Sequence, residues 1–115
     1  MSAYGPALFV SRKDGADLPE QEQSTVLALV RAACLGLKMT DGEGHPVKPS
    51  SYGYDEEEER AMGILLYSSY VYVGMPKEVR ANVEHSWEQE GARVAAKVEE
   101  RCPGIYAFTT YGVED

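Results

Sequence analysis

The 115-residue chain holds two cysteines and two histidines and is short of basic charge. Two cysteines cannot build the disulfide framework of a small secreted domain. Cys34 falls among the apolar positions of a predicted helix, and Cys102 precedes Pro103-Gly104 at a predicted helix end. Both are expected as reduced thiols, the first in the core. Eleven Lys/Arg stand against nineteen Asp/Glu, a formal charge of −8. Phosphate backbones and anionic bilayers require basic patches, so direct nucleic-acid binding and membrane-surface binding are not expected. A spanning segment is also missing. A bilayer needs about 20 apolar residues, and the longest apolar stretch, near 64–73, is broken by Ser68 and Ser69. Residues 1–6 lack the basic-then-apolar pattern of a leader. These absences together lead to the expectation of a cytoplasmic protein.

The motifs of catalysis are equally scarce. Gly42-Glu43-Gly44 begins like a dinucleotide fingerprint, but the third glycine is missing and the acidic residue would repel a pyrophosphate. Asp41, Glu43 and His45 are close in sequence, yet their spacing does not match a calcium loop, so a solvated turn is the simpler reading. His85 lies between Glu84 and Glu88 on a predicted helix. Adjacent helix residues point about 100° apart, which spoils a His85–Glu84 acid–base pair. Ser68-Ser69 lacks the glycines of a nucleophile elbow. The expectation is therefore no catalytic residue, no metal, no cofactor and no enzymatic activity.

Hydrophobic residues make up 43% and charged residues 26% of the chain, enough apolar material for one folded domain spanning residues 1–115. Ala7–Ser11 reads as a strand. A helix follows, with Asp17 as N-cap, Pro19 in the first turn, and an apolar stripe at Val26, Leu29, Val30, Ala33, Cys34 and Leu37. Gly36 is expected to close it in a left-handed cap. Asp41–Gly44 suits a hairpin turn between short extended pieces, and 50–54 continues as loop. The strongest strand signal lies in Ile64–Tyr67 and Tyr70–Val73. A second helix runs from about Lys77 to Arg101 on a line of Val79, Val83, Trp87, Val94 and Val98, and Gly91 on that line marks either a bend or a close contact with the sheet. Ile105–Tyr111 is the last strand. This order predicts an α+β two-layer sandwich, with two helices on one face of a mainly antiparallel sheet; ferredoxin-like βαββαβ is the nearest named topology.

Charge is unevenly spread: residues 1–50 carry −1 and residues 51–115 carry −7. The densest block is Asp55-Glu56-Glu57-Glu58-Glu59, just after Tyr52 and Tyr54. Tyr70 and Tyr72 share one strand face and would point away from the helices. Acid runs commonly guard an edge or a solvated segment, and exposed tyrosines can simply pack across strands. Together, the acids and tyrosines form a surface suited to a basic protein partner. The expected function is a non-enzymatic inhibitor or immunity-type protein that covers a cationic site, such as that of a nuclease toxin, through Tyr52, Tyr54, Asp55, Glu56, Glu57, Glu58, Glu59, Tyr70 and Tyr72. The alternative is a small ligand-binding domain or enzyme with a pocket between sheet and helices. Self-association through the tyrosine-bearing face is a third reading.

Overall fold

The computed structural model describes residues 4–41, 43–54, 61–68 and 74–114. The element order is β1 (Tyr4–Arg12), α1 (Glu20–Gly36), β2 (Ser50–Tyr54), β3 (Ala61–Leu65), α2 (Lys77–Arg101) and β4 (Tyr106–Glu114). The four strands form one antiparallel sheet in the order β2-β3-β1-β4, and two helices pack against it. Each helix joins two strands that a third strand separates, an arrangement compatible with the expected ferredoxin-like topology.

Alternation along β1 sets the layers. Leu8 and Val10 are wholly buried, whereas Phe9 between them is 39% exposed on the other face. Leu8 pairs with Ile64 and Val10 with Met62, so these four side chains share the helix-facing side. Leu66 continues the pairing, its amide donating to the Pro6 carbonyl at 2.9 Å. Val26, Val30, Ala33 and Cys34 of α1 join Val94 and Val98 of α2 in the same core. β3 is buried along its whole length.

Several local expectations shift. α1 starts at Glu20 with Pro19 at the N-cap and no side-chain cap, not at Asp17. The cause is Leu18: burying it completely draws the chain inward before the helix can begin. Gly36 does not supply the left-handed cap, because Lys38 does, with φ 54°. The Lys38 amide donates to the Leu35 carbonyl and the Met39 amide to that of Cys34, the Schellman pattern, which brings Met39 over Cys34. Residues 50–54 are not loop but the edge strand β2, with an irregular register between Ser51 and Tyr54. β3 begins at Ala61 and ends at Leu65, three residues upstream of the expected start; the expected strand Tyr70–Val73 lies outside the described residues.

α2 keeps its expected bounds, and Gly91 explains how it sits. A methyl group on Gly91 would stand 2.9 Å from Thr110 Cγ2 and 3.3 Å from Leu8 Cδ2. The absent side chain lets the helix rest directly on β1 and β4. In a solvent-exposed helix Gly→Ala stabilises by about 1 kcal/mol. Here Gly91→Ala is expected to destabilise by about 1–3 kcal/mol through overpacking, and Thr110→Ala in the same chain should recover part of the loss. Denaturant unfolding of the two single variants and the double variant checks this.

Candidate partner-binding site

Antiparallel pairing brings the chain to one end of the sheet three times. Ser11 of β1 pairs with Ala61 at the start of β3, Tyr54 of β2 pairs with Met62, and Arg12 pairs with Tyr106 at the start of β4. The β1–α1 connection, the residues between β2 and β3, and the α2–β4 turn therefore all attach to this end. α1 begins there and α2 ends there.

The cations at this end are already engaged. Arg12 Nη2 lies 2.9 Å from Asp14 Oδ2, and Arg12 Nη1 pairs with Glu22 Oε1. The Tyr106 hydroxyl donates to the same Glu22 oxygen at 3.0 Å. Lys13 Nζ lies 3.0 Å from Glu99 Oε1, which also accepts the Gly104 amide at 2.9 Å. The Asp14 carboxyl is pulled down from 3.8 to about 2, chiefly by the Arg12 hydrogen bond and then by the Ala16 amide. The Glu99 carboxyl is lowered by the Gly104 amide and then by Lys13. Three carboxylates thus answer two cations. Glu20 and Glu100 add further charge at the same end, as does the C-terminal pole of α2, whose last turn carries Arg101 as its basic residue.

The candidate residues from the sequence fall as follows. Tyr52 and Tyr54 belong to β2, and their backbone reaches the acidic end. Asp55, Glu56, Glu57, Glu58 and Glu59 lie outside the described residues. Tyr70 and Tyr72 also lie outside the described residues. Sequence reasoning missed Asp14 and Glu22, which follow Arg12 by two and ten residues, and Glu99, which is 86 residues from Lys13 and meets it only through strand order.

The opposite end carries different chemistry. The Tyr67 hydroxyl donates to Glu90, and burial followed by this bond raises the Tyr67 pKa. Tyr67 lines an open groove of about 400 Å³ with Val79, Asn82, Val83, Ser86 and Trp87. Asp41 Oδ1 accepts the amides of Glu43 at 2.8 Å and His45 at 3.0 Å, so this carboxylate holds its own turn. His85 is exposed, with its Nε2 3.2 Å from the Gln89 amide nitrogen.

Comparison with family models, with curated proteins and with solved structures finds no match.

Burial and the bond to Glu22 push Tyr106 up from 10.0 to about 12. The fold favours the neutral phenol, so this contribution is whole below pH 10 and is lost as pH rises towards 12. Tyr106→Phe is expected to cost about 0.5–1.5 kcal/mol at neutral pH. It should also flatten, without abolishing, the alkaline loss of stability, since Cys34, raised by burial from 9.0 to about 11, contributes in the neighbouring window. Unfolding free energy measured from pH 7 to 12 checks both parts.

Proposed function

We propose that this protein is a non-enzymatic acidic binding protein that engages a basic protein partner and inhibits it, as an immunity-type or inhibitor protein does when it covers the cationic site of a nuclease toxin. The observation that carries the reading is the convergence just described. Asp14 of the β1–α1 connection, Glu20 and Glu22 of α1, and Glu99 and Glu100 of α2 come to one end of the sheet, the end at which β2 stops and β3 starts. Arg12 and Lys13 are matched there by Asp14, Glu22 and Glu99, so these pairs leave no excess of positive charge to offset the Asp55–Glu59 run.

Such an end attracts a cationic surface over roughly a Debye length, about 8 Å at physiological salt. It raises the association rate more than it slows dissociation. Tyr52 and Tyr54, next to the run, would supply the rigid apolar contact that long-range charge cannot. The alternative reading, a ligand site between helices and sheet, rests on the open groove at Tyr67 and on its raised pKa.

The test is to recover the partner from the native host at physiological salt and to measure its association rate. Reversal of Glu56, Glu57, Glu58 and Glu59 to lysine should slow association at least tenfold and flatten its dependence on ionic strength. A partner without excess positive charge, or an unchanged rate, would overturn the proposal.

A further inference from the structure

The two edges of the sheet are built differently. β2 has five residues, is entered through Pro49, and has an irregular register. The acidic run follows it directly. Short length, flanking proline and flanking charge all discourage a foreign strand. β4 carries only the last of these, in Glu114 at its end. It is nine residues long, has no proline or lysine, and lies in a stretch without charge from Cys102 to Val113. The two other long uncharged stretches, 1–11 and 61–76, contain β1 and β3, the strands paired on both sides. β4 therefore has the composition of an interior strand, yet among the described residues it pairs on one side only.

The ladder shows which backbone groups face outward. The Lys13 amide donates to the Ile105 carbonyl at 2.9 Å, in register with the β1–β4 pairing. Alternation along an antiparallel pair then turns the N–H and C=O groups of Tyr106, Phe108, Thr110 and Gly112 away from β1. Beside them runs a shallow groove lined by Ala95, Ala96 and Phe108 and bordered by the Lys13–Glu99 pair.

We infer that β4 pairs antiparallel with β4 of a second copy, about a two-fold axis at Thr109, to join two four-stranded sheets into one. This register sets Thr109 opposite Thr109, Phe108 opposite Thr110 and Tyr106 opposite Gly112, with about eight backbone hydrogen bonds between copies. Charge selects a second copy as the occupant. A chain of −8 meets its own kind with least repulsion along the part of this edge that carries no charge, up to Val113. β4 starts at the acidic end, so antiparallel pairing places the two acidic ends at opposite ends of the joined sheet. Self-pairing is isologous and closed, so it stops at two copies. Both acidic ends stay open, and the inference stands independently of the proposed function.

Thr109 is exposed on the face away from the helices, opposite Phe9 in the ladder, so changing it spares the core. Light scattering from micromolar to millimolar concentration should give the wild type at twice 12.7 kDa. Thr109→Lys places two like charges across the axis and should return the mass to 12.7 kDa, with an unchanged circular dichroism spectrum. It also lowers the net negative charge, so general repulsion would predict the reverse. Thr109→Glu alone should likewise be monomeric, and an equimolar mixture of the two variants should restore the double mass. A wild type that stays at 12.7 kDa, a dimeric Thr109→Lys, or a mixture that stays monomeric would overturn the inference.

Discussion

β1 pairs antiparallel along both of its edges, with β3 over Ala7–Ser11 and with β4 over Tyr4–Arg12. Both ladders need the same register, because a slip of one residue would turn Leu8 and Val10 out of the core and Phe9 into it. That register places Thr110 beside Leu8, which is where α2 rests through Gly91. It also decides which residues meet at each end of the sheet. Arg12 and Lys13 follow the last core residue of β1, so they emerge at the end where α1 begins and α2 closes.

The ion pairs at this end are mostly exposed and contribute little to stability individually. Their effect is electrostatic at longer range. Arg12 and Lys13 are matched by Asp14, Glu22 and Glu99, so these pairs leave no excess of positive charge at this end. α2 is arranged at odds with its own dipole, since Glu99 and Glu100 sit by its negative pole. Glu99 is compensated by the Gly104 amide and Lys13, so the turn into β4 is held while the charge is kept.

Much of this fold is legible in the sequence. The α1 stripe and the full extent of α2 follow from helical period, and β1 and β4 follow from short β-branched and aromatic runs bounded by turns. β2 was not legible, because Ser50, Ser51 and Gly53 carry no strand preference and their pairing is imposed by β3. β3 was displaced because Ala61, Met62 and Gly63 are unremarkable as strand formers, yet they pair with Ser11, Val10 and Phe9 of β1, which places Met62 in the core under the helices. The α1 N-terminus was misplaced because burial of Leu18 outweighed the capping preference of Asp17. In the candidate site, the acid run could be read as composition. Its companions were not read: Asp14 and Glu22 meet Arg12 through the local path of the β1–α1 connection, and Glu99 becomes a neighbour of Lys13 only once strand order is known.

The account holds that recognition occurs at the acidic end and not in the groove at Tyr67 and Trp87. Amide hydrogen exchange of the protein alone and in complex with its recovered partner tests this directly. Added protection should fall on residues 12–22, 52–61 and 99–105, with exchange at 67–68 and 79–87 unchanged. Protection concentrated at 67–68 and 79–87, with the acidic end unaffected, would contradict it.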